Sequence, residues 1–476
     1  MATVAIIGAG FAGHTAALYL KQQLGKDHEV IMINRYDSFY YIPSWVWVGV
    51  GTMKPERTGF KLEGLYLRRG IKFIQGKATE VHPDDNYLIV ERDATNEIVK
   101  VAYDYLIVAT GPKLNFAATP GLGPDANSLS VCTPGHAEQA SAAFDAVVDA
   151  LREGRRQTLV IGVGHGTCTC EGAAFEYTFN VDHELRERGV RDLADVIYLS
   201  NEYDLGDFGV GGMTFAQNGF ETSSKLWTES LFRERGVRAI LRAHVERVDE
   251  GVLHYELLDG TKDSLTFDFA MLLPPFRGAD VQAFDRDGAE ITAELFAPSG
   301  FLKVDADYDQ KPFEEWTAED WPKTYQCPRY SNVFGVGIAF APPHAISQPR
   351  KSPNGTVISP APPRTGMPSG VMGRVVARSV ADRINKGDSA ELGTASMAAM
   401  GAACIASAGM GMRKGTAAAM TMYPIVPDLK RFPRSGRDVY ETSGEIGLGA
   451  HWTKLMLHYL FLYKAKARLG WHLIPE

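Results

Sequence analysis

The chain has 476 residues, a net charge of −8, 45% apolar residues and 22% charged ones. It is too long for one core, ordinary in composition for a globular protein, and of the wrong sign for a nucleic-acid binder. At ~150 residues per domain, about three domains are expected. The five cysteines, Cys132, Cys168, Cys170, Cys327 and Cys404, are too dispersed for a disulfide framework, and no run of ~18 apolar residues is present to cross a membrane as a helix.

Thr3-Val-Ala-Ile-Ile-Gly8-Ala-Gly10-Phe-Ala-Gly13 has no basic segment ahead of its apolar run, so it reads as a buried strand and not as a secretory signal. It sets a complete G-x-G-x-x-G between that strand and a helical run, and a second strand ends at Asn34. In such a unit Gly8 makes the turn, Gly10 admits a pyrophosphate and Gly13 lets helix pack on strand. The acid that normally ends the second strand and holds ribose hydroxyls is here Asn34, which can both donate and accept. The aromatic stretch Phe39-Tyr-Tyr-Ile-Pro43-Ser44, with Trp45 and Trp47, is a loop just past this strand whose rings read as simple core packing as readily as anything functional. Tyr105-Leu-Ile-Val-Ala-Thr110-Gly111 is another buried strand. A G-x-G-x-x-G followed about 100 residues later by Ala-Thr-Gly at a strand end is specific to flavoproteins with two dinucleotide-binding domains.

Cys132 precedes a helix expected to end about Leu151, a position that suits a bland cysteine as well as a reactive one. The next unit is Leu159-Val-Ile-Gly162-Val-Gly164-His-Gly166-Thr-Cys168-Thr-Cys170-Glu-Gly-Ala-Ala-Phe-Glu176. It begins as a nucleotide-binding strand and turn, then puts cysteines where small residues should let backbone N–H groups reach a phosphate. Thiol chemistry is the expectation. A strand at 196–200, a glycine-dense loop at 206–212 and short strands over 237–269 with a turn at Asp259-Gly260 follow. Residues 271–278 return the chain to the first domain.

Asn332-Val-Phe334-Gly335-Val-Gly337 is a buried strand placed where such proteins approach a flavin's ribityl chain. Residues 341–368, rich in Pro and Ser, are expected as loop, and 371–384 as helix. The stretch 451–468 is apolar almost all round and then basic. It is too short to span a bilayer and suits a helix lying in the membrane surface with Lys464, Lys466 and Arg468 at the headgroups, or else a buried C-terminal helix.

On these residues the chain resembles the sulfide:quinone oxidoreductase family. The matching pieces are residues 8–13, the aromatic loop to Pro43-Ser44, residues 105–113, Cys132 with His136, Cys170 followed by Glu176, and residues 208–212, 334–337, 363–366 and 402–405, which together span nearly the whole chain. The resemblance implies that Cys170 and Cys404 face each other beside the flavin. Sulfide would open their disulfide or polysulfur bridge, and the thiolate left behind would send two electrons into FAD. Cys132 is implied as a further sulfur-handling or FAD-linking thiol, with Glu176 and His136 as proton carriers tuned by burial. The implied FAD-binding set is Gly8, Ala9, Gly10, Phe11, Ala12, Gly13, Asn34, Arg35, Pro43, Ala78, Thr110, Gly111, Gly337, Arg364 and Thr365. No metal is implied, since Cys168 and Cys170 lack a second ligand pair. Electrons would leave to a membrane quinone, with Tyr459, Phe461 and Tyr423 as candidate contacts. Some positions depart from the family. Asp207 stands where the related loop often has His, Arg364 replaces the Lys of Pro-Lys-Thr-Gly, and 409–422 lacks the phenylalanines that wall the quinone site. Cys168 and Cys327 have no counterpart and read as structural.

The expected fold is therefore α/β, with two interleaved Rossmann-like domains and a C-terminal membrane-associating helical region. The expected domains are 1–112 with 300–385 for FAD, 113–299 for a degenerate NAD-type fold carrying the redox cysteines, and 386–476 for membrane and quinone. Expected partners are sulfide and polysulfide, a membrane quinone and the cytoplasmic membrane surface, with no nucleic acid; an assembly of identical copies is compatible with the resemblance. A type II NADH:quinone dehydrogenase would have glycine at Thr167 and an acid for the NAD ribose. A flavocytochrome c sulfide dehydrogenase would use two cysteines and a haem partner. A silent flavin-binding thiol sensor would not need all three thiols.

Overall fold

The computed structural model describes every residue except Asp93, Ala94, Asn96 and Cys170. In chain order, the elements that position the site begin with β1 (Thr3–Ile7), α1 (Phe11–Leu24), β2 (Glu29–Asn34), α2 (Trp45–Gly49), β3 (Lys72–Gln75), β4 (Tyr105–Val108) and β5 (Lys113–Leu114). The middle of the chain supplies α3 (Pro134–Arg152), β6 (Gln157–Val163), α4 (Glu171–Glu187), β7 (Ala194–Leu199), β8 (Arg238–Ile240), β9 (Phe269–Leu273) and β10 (Phe276–Arg277). The last third adds β11 (Val333–Gly335), α5 (Gly366–Lys386), β12 (Ala402–Ala408), β13 (Thr416–Met422), β14 (Ser443–Ile446) and α6 (Leu448–Ala465).

The first sheet is parallel, in the order β11-β4-β1-β2-β3. Val4, Ala5 and Ile6 of its central strand are all 0% exposed, so both faces are covered and the sequence reads as a continuous apolar run. The second parallel sheet has the order β8-β7-β6-β9. Both crossings between the sheets run through one ribbon, because β5 pairs antiparallel with β10, Lys113 opposite Arg277.

Helix α1 sits tightly between strand and helix. A Cβ on Gly13 would lie 1.9 Å from the Gly8 carbonyl oxygen, and one on Gly373 of α5 would lie 2.2 Å from that of Ala12. The aromatic stretch resolves as core: Phe39, Tyr41, Trp45 and Trp47 are all buried. Helix α5 starts five residues earlier than the sequence suggests, since Pro368 falls within its first turn, where a missing N–H costs no hydrogen bond. The expected loop before it contains a small hairpin of Arg350–Lys351 and Val357–Ile358.

The C-terminal region is more than helical. Strands β12, β13 and β14 form an antiparallel sheet, and α6 packs across it. Most side chains of β12 are small, Ala-Ala-Cys404-Ile-Ala-Ser-Ala, and this lets the strand approach α4 closely. No helix among the described residues is long and apolar enough to cross a membrane.

Candidate redox site

The first glycine turn is built tight on one side and open on the other. Gly8 has φ +102, and a Cβ there would lie 2.2 Å from the Ala109 carbonyl oxygen, so the turn is closed to any side chain. A Cβ on Gly10, by contrast, would meet nothing within 4 Å, and the same is true of Gly111. The Ala9 N–H donates to Asn34 Oδ1 at 2.9 Å, while the Asn34 amide donates to the Tyr36 carbonyl at 2.6 Å. Asn34 thus braces the turn itself. Gly337, at φ +68, presses on Ala12, and Gly366 at the start of α5 abuts the Phe11 ring, which brings the first turns of α1 and α5 side by side. Thr365 is the N-cap of α5. Arg364 donates to the carbonyls of Ile338 (3.1 Å) and Phe340 (3.0 Å) and lies 4.8 Å over the Phe301 ring. Arg35 lies beside Tyr36, Pro43 is in the turn Ile42–Ser44, Ala78 is buried at a bulge, and the Thr110 hydroxyl leans on the Gly111 carbonyl. Open space at Gly10, with no side-chain cap on the start of α1 among the described residues, fits the pyrophosphate of a dinucleotide such as FAD at the helix N–H groups.

The second glycine turn is covered by the chain itself. A Cβ on Gly164 would lie 2.5 Å from Leu122, and one on Gly166 would lie 2.5 Å from the Val357 carbonyl oxygen. The Gly166 N–H donates to His244 Nδ1 (3.0 Å), its carbonyl accepts from the Ser359 N–H (2.7 Å), and the Cys168 carbonyl accepts from the Ala361 N–H (2.9 Å). The segment 356–362 therefore straps the place where a second phosphate pair would approach. Glu256, buried beneath it, holds the strap by accepting hydrogen bonds from Ser352, Asn354 and Thr356.

Cys170 lies outside the described residues. Its expected partner Cys404 has its Sγ 2.7 Å from where a Cβ on Gly172 would be, so the sulfur fills the space of a missing side chain on the first turn of α4. The Cys404 thiol is free. Burial pushes it up to about 12, with the Glu176 charge adding to the effect and Lys454 opposing it. Glu176 lies further along α4. Its carboxylate accepts from Lys454 Nζ at 2.9 Å and from the Ser407 N–H at 3.1 Å. Burial raises the Glu176 carboxyl, and Lys454 holds it back. The Ser407 hydroxyl in turn meets His451 Nδ1 at 2.5 Å, and His458 Nδ1 meets the Ser44 hydroxyl at 2.8 Å. Burial lowers His458 to about 4, so it is neutral.

The other expected residues stand differently. Cys132 is half-buried, pushed up to about 11 by burial, next to Val131, which packs on Gly49 of α2, as does Tyr177 of α4. The His136 ring packs edge-on against Phe116 at 5.8 Å, and its Nδ1 is buried with no hydrogen-bond partner among the described residues. The buried Cys168 donates to the Leu273 carbonyl at 3.2 Å, and Cys327 is also buried.

Sequence reasoning missed the inward face of α6. His451, Lys454 and His458 are buried, whereas Trp452 (47%), Met456 (51%), Tyr459 (53%) and Leu460 (40%) are exposed. The spacing of the three polar residues at i, i+3 and i+7 was the available signal. Lys464 is not at a headgroup: it is 3% exposed and pairs with Glu476 at 2.7 Å, because α6 turns its last basic residue inward. Phe461 packs on Phe11 at 4.6 Å and Tyr41 at 5.4 Å, and the Tyr423 hydroxyl accepts from Arg431 at 3.1 Å. A cluster of acids was missed as well. Glu171, Glu202 and Asp207 are all buried, and burial raises each of them, Glu202 to about 7.

The profile of the family described as pyridine nucleotide-disulphide oxidoreductase matches residues 2–306. The chain belongs to this family. It is 29% identical over 381 residues to the sulfide-quinone reductase of Aquifex aeolicus (strain VF5), an alignment that covers 80% of this chain and 76% of that one. The crystal structure of the sulfide:quinone oxidoreductase from Aquifex aeolicus superposes with a TM-score of 0.76 at 26% identity, covering 98% of this chain and 92% of the other. The NDH2 of Plasmodium falciparum, solved with NADH, shares the fold at a TM-score of 0.64 and 14% identity, covering 99% of this chain and 97% of that one. The α/β fold with two Rossmann-like sheets is thus that of the family.

Proposed function

We propose that this protein is an FAD-dependent sulfide:quinone oxidoreductase that oxidises sulfide through Cys170 and Cys404 and passes two electrons to a membrane quinone. The observation that carries the reading is the contact of Cys404 Sγ with the first turn of α4, the helix that begins directly after Cys170. Hydrosulfide attacks one sulfur of the oxidised Cys170–Cys404 bridge. The bridge S–S bond breaks as a new S–S bond forms, leaving a persulfide on one cysteine and a thiolate on the other. Bound FAD supplies the two-electron acceptor between this sulfur chemistry and quinone. Cys132 takes sulfur on or off. Glu176 is the proton carrier, and Lys454, held 2.9 Å away, sets its charge. His136, packed on Phe116, is left outside this route. Trp452, Met456, Tyr459 and Leu460 form the face of α6 that lies in the membrane surface, where aromatic and thioether side chains suit the headgroup boundary.

The NADH-dehydrogenase alternative is disfavoured by the strap over Gly164 and Gly166, which stands in contrast to the open space at Gly10. One anaerobic experiment tests the reading: the oxidised holoenzyme is mixed with sulfide, with NADH, and then with a short-chain quinone while flavin absorbance is followed. Sulfide should bleach the flavin and quinone should restore it. Bleaching by NADH alone would end the proposal, and failure of quinone to reoxidise would favour a haem-linked or sensor protein. In the same assay Cys404→Ala should keep FAD but lose bleaching by sulfide.

A further inference from the structure

The basic residues at the C-terminal end of α6 are not matched as the rest of the charge is. The chain carries a net charge of −8, and on neighbouring segments exposed cations meet acids, Lys61 with Asp37 and Lys72 with Glu29. Arg57, Arg69, Lys466 and Arg468 have no ion-pair partner among the described residues. Two segments far apart in the chain bring them together. The Arg69 guanidinium donates to the Ala467 carbonyl, the Lys466 ammonium lies 5.6 Å over the Phe60 ring, and the charges of Arg57 and Lys466 are both felt at His458. No acid enters the field at Lys466, whose ammonium is held below its ordinary value by burial and by the Arg468 charge. Like charges gathered without counter-ions repel one another, a cost that an anionic surface removes. The same cations border apolar side chains that stand in solvent. Leu67, two residues before Arg69, is 80% exposed, and Leu469, next to Arg468, is 95% exposed. Arg468 lies 5.5 Å over the ring of Tyr463, one turn past Tyr459 on α6, so the cluster adjoins the outward apolar stripe of that helix. Lys464, turned inward to Glu476, is not part of it.

We infer that Arg57, Arg69, Lys466 and Arg468 form a headgroup site that makes docking selective for anionic phospholipid, with Leu67 and Leu469 entering the bilayer beside it. This rests on the membrane-surface reading of α6 above. The apolar stripe gains as much from a zwitterionic bilayer as from an anionic one, because only acyl chains meet it. The cations add an attraction that exists over anionic lipid alone and falls off within a Debye length, about 8 Å at physiological salt. Long aliphatic stems let Lys466 and the arginines keep their charges at the phosphates while the leucines sit deeper.

The test sediments the FAD-loaded full chain with vesicles of phosphatidylcholine, or of phosphatidylcholine mixed with phosphatidylglycerol. The parent should partition onto the mixed vesicles at least about thirtyfold better, and high sodium chloride should remove the difference. Arg57→Gln, Lys466→Gln and Arg468→Gln should each lower partition onto the anionic vesicles about fivefold. None of the three should change partition onto phosphatidylcholine or lower the melting temperature. Arg69 is left in place because it also holds the Ala467 carbonyl. Equal partition of the parent onto both vesicles, or a lipid preference that survives the triple variant, would overturn the inference while leaving the membrane reading intact. A parent that binds neither vesicle would overturn both and assign this surface to a protein partner.

Discussion

Gly10 and Gly13 belong to one motif but answer to different neighbours, and substitution should separate them. Gly10→Val has open space and extended backbone, so the fold should lose at most about 1 kcal/mol while FAD content collapses. Gly13→Ala drives a methyl group into the Gly8 carbonyl and should cost about 1–3 kcal/mol or more in thermal melts of the apoprotein. Glu202 gives a pH prediction. Its carboxyl rises from the ordinary 4.5 to about 7 on burial, so the folded state favours the protonated form. Its contribution is full below pH 4.5 and is lost as pH climbs through about 7. Glu202→Gln should therefore be close to the parent in melts at acid pH and more stable at pH 8, by up to about 3 kcal/mol. The motif's glycines were legible in the sequence because strand, turn and helix are local. Glu171, Glu202 and Asp207 were not, since what makes them unusual is mutual burial that only the tertiary fold creates. A glutamate directly after Cys170 was the single visible hint.

Helix α6 shows how an element can be found and still misread. Its apolar content was plain in the sequence, and its two-facedness was not, because the exposed face is the apolar one. Counting hydrophobic residues blurs such a helix, whereas the positions of His451, Lys454 and His458 resolve it. The inward stripe is fixed by partners on distant segments, Ser44, Glu176 and Ser407, that no window of local sequence contains. If the outward stripe is a membrane surface, the double variant Met456→Glu, Tyr459→Glu should lower partition onto lipid vesicles at least about tenfold in sedimentation, with little change in melting temperature because both side chains are already exposed.

At the scale of the whole molecule, two copies of one supersecondary plan have been put to different uses. The first keeps room for a dinucleotide; the second closes over its own turn with the 356–362 strap. Composition and periodicity reveal both sheets but not the closure, which depends on Leu122 and Val357 arriving from far along the chain. The asymmetry is measurable through linkage. FAD at about 100 times its dissociation constant should stabilise the apoprotein by about 2.7 kcal/mol, while NADH at the same concentration should leave its melting temperature unchanged.

Helix α6 touches both halves of the candidate site. Phe461 of α6 packs tilted on Phe11 of the first glycine turn, and seven residues earlier Lys454 grips Glu176 behind β12. His14 of α1 is fastened to the carbonyl of Ala465 at the end of the same helix. A rod of 18 residues, about 27 Å long, thus has the exposed apolar stripe along one side and both halves of the candidate site fastened to the other. Under the proposed docking of this stripe on a membrane, lipid that tilts the rod would tilt the frame around Cys404 and Glu176, so turnover with quinone is expected to vary with bilayer thickness.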